Sequence, residues 1–103
     1  MQLLNKEIIS QIPELYSTED VPMEDKKFIC KFFDPCGSFT WYVAEGSYQE
    51  GDYMMFGLVD GFEKEWGYFG LNELKSLVGP LGLGIERDIY FGDQGPEAAE
   101  KYA

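Results

Sequence analysis

The chain has 103 residues, of which 45% are hydrophobic and 17% aromatic, so it can build one core and is too apolar for a disordered protein. Its 19 acidic residues outnumber 8 basic ones, and without histidine the net charge at pH 7 is -11. A charge of this sign repels nucleic-acid phosphates and favours a basic protein surface or a cation as the partner, although it also serves solubility alone.

A helix is predicted near the start of the chain. Leu4, Ile8 and Ile12 recur at helical spacing on one side of it. Pro13 would remove a helical hydrogen bond, so the helix is expected to end near Ile12. Residues 16–25 carry four acids among polar side chains and are predicted to form an exposed acidic loop.

Four strands are predicted next, because the apolar residues change to a spacing of two and β-branched and aromatic residues become frequent. The predicted strands are 27–32, 39–44, 54–59 and 66–69, with turns or a polar loop at 34–38, 46–52 and 60–61. Neighbouring strands joined by such short connections are expected to pair antiparallel.

Helical spacing returns at 71–78, with Asn72 as the expected N-cap and a glycine and a proline as the stop. A last strand is predicted at 85–91. The short C-terminal tail, about 93–103, could open a helix at Pro96 and otherwise frays. We therefore expect a single α+β domain over 1–103, a mostly antiparallel four- to five-stranded sheet packed by two helices.

The core is predicted from the large apolar residues of these elements. The side chains expected to pack the sheet against the helices are Trp41, Phe56, Trp66, Phe69 and Leu74. Burial of each such side chain contributes roughly 1.5–3 kcal/mol.

Catalytic and cofactor chemistry has little material in this sequence. Cys30 and Cys36 are interpreted as reduced structural thiols, and without histidine they make a poor zinc site and lack the usual base of a nucleophile. The glycine-rich segment 79–84 lacks the lysine and spacing of a phosphate-binding loop. We expect no catalytic residues, no metal and no cofactor.

The location of the protein is predicted from what the sequence lacks. No apolar run approaches the roughly 18 residues that span a bilayer. The first residues lack the basic start and apolar stretch of a signal peptide. These features predict a cytoplasmic protein without membrane contact.

Eight acidic residues are candidates for a partner-binding surface. They are Glu45, Glu50, Asp52, Asp60, Glu63, Glu65, Glu86 and Asp88. The six from 45 to 65 would form one continuous negative surface if the hairpin ends lie together. Glu86 and Asp88 share one face of the last predicted strand, whereas Arg87 between them is interpreted as a partner in a structural salt bridge.

Several segments resemble a bacterial protein family. They are Thr-Trp-Tyr-Val-Ala-Glu-Gly at 40–46, the block at 56–69 that ends in Gly-Tyr-Phe, and the block at 82–88 that ends in Gly-Ile-Glu-Arg-Asp. The family is known mainly as a domain of unknown function and is common on plasmids, phages and conjugative elements. The resemblance covers nearly the whole chain and implies no catalytic residues.

The resemblance extends to an anti-CRISPR member of that family, an inhibitor of the type II RNA-guided DNA endonuclease. It implies an acidic inhibitor that binds this nuclease, or its guide-bound complex, stoichiometrically in the bacterial host cell and does not bind nucleic acid directly. The alternative hypothesis is a small carboxylate-based cation-binding module or enzyme of mobile elements that uses Glu45, Glu86 and Asp88.

Overall fold

The computed structural model of the protein describes residues 2–102. In chain order its elements are α1 (Lys6–Gln11), β1 (Lys27–Phe28), β2 (Cys30–Phe33), β3 (Thr40–Gln49), β4 (Asp52–Asp60), β5 (Lys64–Gly70), α2 (Leu71–Ser76), β6 (Glu86–Arg87) and β7 (Glu97–Ala98). Short 3-10 helices lie at Met23–Asp25 and Ala99–Lys101. Within this range, neither α-helix is long and apolar enough to cross a lipid bilayer.

Five of the strands form one antiparallel sheet in the order β5-β4-β3-β2-β6, and β1 pairs with β7 in a separate ribbon. The predicted fold class, α+β with a mostly antiparallel sheet and two helices, is confirmed. The strand order places β5 and β6 at opposite edges of the sheet.

The two helices cover one face of the sheet, which we call the first face. At the start of α1, the Asn5 side chain accepts a hydrogen bond of 2.8 Å from the Ile8 N–H, which satisfies an otherwise free amide. The buried residues beneath the helices are Leu3, Leu4, Ile12, Cys30, Phe32, Trp41, Val43, Tyr53, Met55, Phe69, Leu74 and Ile85. The predicted positions of Trp41, Phe69 and Leu74 are therefore confirmed.

The C-terminal tail covers the opposite face, which we call the second face. The core on this side consists of Phe28, Tyr42, Ala44, Leu58 and Ala99, with Trp66, Phe91 and Tyr102 packed against it. The Tyr102 and Tyr42 rings lie 4.6 Å apart, centroid to centroid. Because this tail buries apolar side chains and pairs with β1, it is packed rather than frayed, and Pro96 precedes a strand rather than a helix.

Phe56 and Trp66 do not lie between the sheet and the helices as expected. Trp66 lies opposite Leu58, a residue of the second-face core, and its ring stacks on that of Phe56 at 5.7 Å. Side chains alternate along a strand, so Trp66 and Phe69, three positions apart, must point to different faces.

A β-bulge in β3 changes which side chains reach each face. The pairing with β4 shifts between Val43 and Glu45, and the residue between them has no partner. Glu45 therefore lies opposite Phe56 on the second face instead of following Val43 to the first. A Cβ on Gly57, which pairs beside the bulge, would lie 1.7 Å from the Tyr42 carbonyl oxygen, so this close approach of two strands requires glycine.

The predicted polar loop at 46–52 is wrong. Strand β3 continues to Gln49, β4 begins at Asp52, and only Glu50 and Gly51 form the turn. Their φ angles of 49° and 82° are those of a tight two-residue hairpin turn. The polar side chains before the turn are tolerated because this part of the hairpin is exposed.

The last predicted strand is shorter than expected. Only Glu86 and Arg87 pair with β2. The Asp88 side chain accepts a hydrogen bond of 2.9 Å from the Tyr90 N–H, which favours a turn over a continued strand. The predicted strand 85–91 is therefore too long, although the Asp88 N–H still donates to the Lys31 carbonyl at 3.0 Å and the Asp88 carboxylate lies on the same side as Glu86, next to Lys31.

Candidate partner-binding surface

The predicted acidic surface is divided between the two ends of the sheet. The Glu50–Gly51 turn lies at one end, and the turn at 61–63 between β4 and β5 lies at the other. Strand β4 has nine residues. At about 3.3 Å per residue, the two turns are roughly 27 Å apart. The acids from 45 to 65 therefore do not form one continuous surface.

Glu45 is buried, with 3% of its surface exposed. Its Oε1 accepts a hydrogen bond of 2.8 Å from the Tyr16 N–H, and its Oε2 accepts one of 3.2 Å from the Thr18 N–H and another from the Thr18 hydroxyl. The Nζ of Lys26, itself 5% exposed, lies 3.7 Å from Oε2. Glu45 is thus a structural residue and does not contribute to an exposed surface.

This buried ion pair fixes residues 13–26, which we call the strap, against the sheet. Lys26 Nζ donates to the Thr18 carbonyl at 2.5 Å and to its hydroxyl at 2.8 Å. Tyr16 has a φ of 69°, in the left-handed region that few side chains adopt, and its N–H there reaches Glu45. The predicted exposure of the four acids at 16–25 is confirmed for Glu19, Asp20, Glu24 and Asp25.

Asp52 is also used inside the fold, as the cap of α2. The N-cap position is Gly70, which has no side chain, and Asp52 Oδ1 instead accepts hydrogen bonds from the N–H groups of Asn72 at 3.0 Å and Tyr53 at 2.8 Å. A Cβ on Gly70 would lie 2.3 Å from Asp52 Oδ2, so the glycine makes room for this carboxylate. The prediction of Asn72 as the cap is wrong, because Asn72 lies inside the helix.

Four of the predicted acids gather at the other end of the sheet, which we call the acidic end: Asp60, Glu63, Glu65 and Glu86. Glu86 and Asp60 belong to one row that crosses β6, β2, β3 and β4 through Phe33 and Thr40. Glu63 and Glu65 are exposed. Within residues 2–102, no hydrogen bond or ion pair engages these four carboxylates.

The other members of the Glu86–Arg87–Asp88 block stabilise the fold. Arg87 Nη1 donates to the carbonyl oxygens of Leu3 at 2.7 Å and Gln2 at 3.0 Å, which ties the start of the chain to β6. Asp88 Oδ2 lies 3.7 Å from Lys31 Nζ. Arg87 stabilises the fold, but the described acceptors are backbone carbonyls, so the salt bridge expected for it stays a prediction. Only Glu86 of the block therefore belongs to the acidic end.

A groove of about 510 Å³ opens on the first face beside the acidic end. Its lining residues are Asp34, Phe39, Trp41, Val59, Tyr68, Phe69, Glu73, Leu77, Val78, Gly79 and Ile85. Strands β3, β4 and β5 supply the floor, and the C-terminal end of α2 with the residues after it supplies one wall. The groove could not be predicted from the sequence, because it combines residues from four separate parts of the chain.

Phe62 extends the apolar surface beyond the groove. It is 96% exposed at the tip of the turn between β4 and β5, and its ring contacts that of Phe39 edge-on at 5.4 Å. A Cβ on Gly61 would meet the Phe39 ring at 2.4 Å, so this glycine allows Phe39 to pack against the turn. An aromatic residue in a turn flanked by acids was the one sequence signal that pointed to this feature.

Within residues 2–102, neither the Cys30 thiol nor the carboxylates considered for metal binding are arranged for that chemistry. Burial raises the pKa of the Cys30 thiol to about 12, against a smaller lowering by the Arg87 charge, so this thiol is not a nucleophile at neutral pH. Among residues 2–102, no three Cys, Asp or Glu side chains are close enough to hold a metal ion. In particular, Glu45 is bound to the strap and does not form a cluster with Glu86 and Asp88, so these three residues do not make the cation site of the alternative hypothesis.

Comparison with known proteins identifies the family but assigns no activity. A model of the family described as protein of unknown function, DUF2958, matches residues 3–100. No curated protein and no solved structure matches the chain significantly. The family match includes the whole sheet, the strap and the acidic end, so it covers well over half of the sequence. The chain therefore belongs to the DUF2958 family of proteins of unknown function.

Proposed function

We propose that this protein acts by stoichiometric binding to a basic surface of another protein, and that the acidic end makes the contact. The observation that carries the proposal is the set of four carboxylates at this end, which no described hydrogen bond or ion pair engages. Carboxylates that no described residue engages are available for the cations of a partner. The net charge of -11 adds long-range attraction to a basic surface.

The partner we propose is the type II RNA-guided DNA endonuclease or its guide-bound complex, as the sequence resemblance implies. Such an endonuclease holds nucleic acid in a positively charged channel and reads a short DNA motif with arginines. Carboxylates on three strands and the turn between β4 and β5 are suited to compete with phosphates for such a channel. The encounter would take place in the bacterial cytoplasm, and the same charge disfavours direct binding to nucleic acid.

The proposal is tested by measuring DNA cleavage and binding kinetics with a purified endonuclease–guide complex. The variant Glu63→Lys/Glu65→Lys reverses two exposed charges at the acidic end. We expect its association rate to fall at least about tenfold at low ionic strength, and the difference to shrink as salt screens the charges. Both positions are on the surface, so the free energy of unfolding should change by no more than about 0.5 kcal/mol each.

The matched control is Glu14→Lys/Glu24→Lys, which makes the same change in net charge at two exposed positions of the strap. An equal loss in both double variants would mean that total charge, rather than the acidic end, drives binding. Full inhibition by the folded Glu63→Lys/Glu65→Lys protein would remove the acidic end from the interface. If the wild-type protein neither binds nor inhibits the complex, the proposed partner is wrong.

A further inference from the structure

The groove on the first face combines an apolar floor with an acidic rim. Trp41, Val59 and Phe69 form the floor, and Asp34 and Glu73 are the charged side chains among the described lining residues. Both are carboxylates. Its volume of about 510 Å³ is within the range of about 300–1,000 Å³ for binding pockets. The groove can therefore accept apolar side chains and attracts positive charge at its edge.

The apolar surface continues outside the groove. Val78 on the wall is 66% exposed, Leu77 is 41% exposed, and Phe62 beyond Phe39 is 96% exposed. Exposed apolar side chains grouped in this way mark interaction sites more often than scattered ones do. Because the exposed set extends past the groove, a small ligand inside it would leave part of this surface uncovered.

Charge selects among the possible occupants. A second copy of this chain would bring its own acidic rim and a net charge of -11 to the same surface, which is repulsive. An anionic ligand would be repelled by the same carboxylates. Glu65 adds to them, because it lies opposite Val59 and thus on the groove side of β5. A cationic occupant is favoured by every charged group named here.

We propose that the groove binds an amphipathic segment of a partner protein, with apolar side chains against Trp41 and Val59 and Lys or Arg residues beside Asp34, Glu65 and Glu73. This inference rests on the proposed function in one respect, since both assign a basic protein as the partner. It adds an apolar anchor to the electrostatic contact. The anchor supplies the specificity that charge alone lacks, because burial of apolar groups requires matching shape.

A synthetic peptide tests this inference without the endonuclease. The probe has about 18 residues, with Leu at helical spacing and Lys elsewhere. Binding is followed by the fluorescence of Trp41, which lines the groove, in a Trp66→Phe background that removes the second tryptophan. We expect a dissociation constant in the micromolar range and a change in Trp41 emission. Replacing every Leu of the peptide by Ser should abolish binding.

The decisive variant is Val78→Asn, which removes an apolar contact in the groove without changing charge. Its matched control is Ile89→Asn, because Ile89 is 56% exposed and does not line the groove. We expect Val78→Asn to weaken peptide binding at least about fivefold, because it loses one apolar contact. Ile89→Asn should change the binding less than twofold. Circular dichroism of both variants verifies that they are folded.

Each other outcome overturns the inference. Equal binding of the Leu and Ser peptides would mean attraction by charge alone, and equal weakening by both variants would place the contact outside the groove. Absence of binding to the wild-type protein rejects a basic amphipathic occupant. If sedimentation shows a dimer that Val78→Asn dissociates, the occupant is a second copy. Failure to bind the endonuclease would refute the proposed function and leave the peptide result unaffected.

Discussion

Compared with the acidic end, the opposite part of the sheet uses its carboxylates inside the fold. Glu45 holds the strap through Lys26 and two backbone amides, and Asp52 caps α2. At the acidic end, Glu63 and Glu65 are exposed and make no described hydrogen bond or ion pair. Acidic residues that look alike in the sequence are therefore divided into structural and available groups, and the available group is the better guide to a binding surface.

The sharpest test of this comparison is Glu45→Ala. The substitution leaves the Lys26 ammonium buried without its carboxylate and two amides without an acceptor, so we expect a loss of about 3–5 kcal/mol in the free energy of unfolding, measured in urea. The matched Glu65→Ala should cost no more than about 0.5 kcal/mol.

A double variant separates charge burial from general damage at the same site. Lys26→Met/Glu45→Gln removes both charges and keeps an acceptor for one of the two strap amides. It should recover a large part of the stability that Glu45→Ala loses, since a buried pair can often be replaced by neutral side chains at little cost. A loss below about 1 kcal/mol for Glu45→Ala would show that Glu45 is not structural.

Arg87→Ala tests whether the Glu86–Arg87–Asp88 block belongs to the fold or to the surface. Arg87 donates to two backbone carbonyls, and hydrogen bonds from charged groups contribute about 1.5–3 kcal/mol. We expect a loss of about 2 kcal/mol in thermal or urea unfolding, with a smaller loss for Arg87→Lys, which retains the charge but not the planar fork. A loss below about 0.5 kcal/mol would indicate a surface ion pair instead.

Asp52→Ala should cost about 1–2 kcal/mol, because it removes the acceptor that caps α2. In a domain of this size, each kcal/mol lowers the melting temperature by about 4–8 °C, so the loss is measurable by circular dichroism. Asp52→Asn keeps an acceptor and should lose less. If Asp93→Ala, a change of an exposed aspartate, is equally harmful, the cap is not the cause.

The smallest expected effect concerns Glu50. Glu50 and Gly51 form a hairpin turn that favours Asn at the first position, because Asn tolerates positive φ. We expect Glu50→Asn to stabilise the protein by about 0.5 kcal/mol and to leave partner binding unchanged. Weaker binding to the endonuclease would place this turn in the interface and would contradict the division between the two ends.

The sheet was predictable from the sequence because most of it alternates with a period of two. The polar residues at 46–52 predict a loop, whereas β3 continues through the bulge at Val43–Glu45 to Gln49. The last strand was extended too far, because Ile89 continues the apolar alternation although the Asp88 side chain turns the chain at Tyr90. Hydrophobic spacing does not report side-chain bonds to the backbone.

The roles of the acids could not be predicted, because they depend on contacts between distant parts of the chain. Glu45 is buried through Tyr16 and Thr18, which precede it by 29 and 27 residues. Asp52 caps a helix that begins about twenty residues later. By contrast, Glu63 and Glu65 lie in and beside a turn, where exposure follows from local sequence, and their place on the surface was predicted correctly.

The ribbon of β1 and β7 has a consequence for how the protein folds. The ribbon pairs residues that are far apart in the sequence, Lys27 with Ala98, whereas β3, β4 and β5 are neighbours joined by short turns. Closing a long loop costs entropy before contacts are gained, so the ribbon should form after the hairpins. In the native state it should also open first, and the Ala99 amide should exchange with deuterium faster than the amides of β4. Each opening uncovers the aromatic side chains of the second face, so the exchange rate also measures how often that surface is exposed to other molecules.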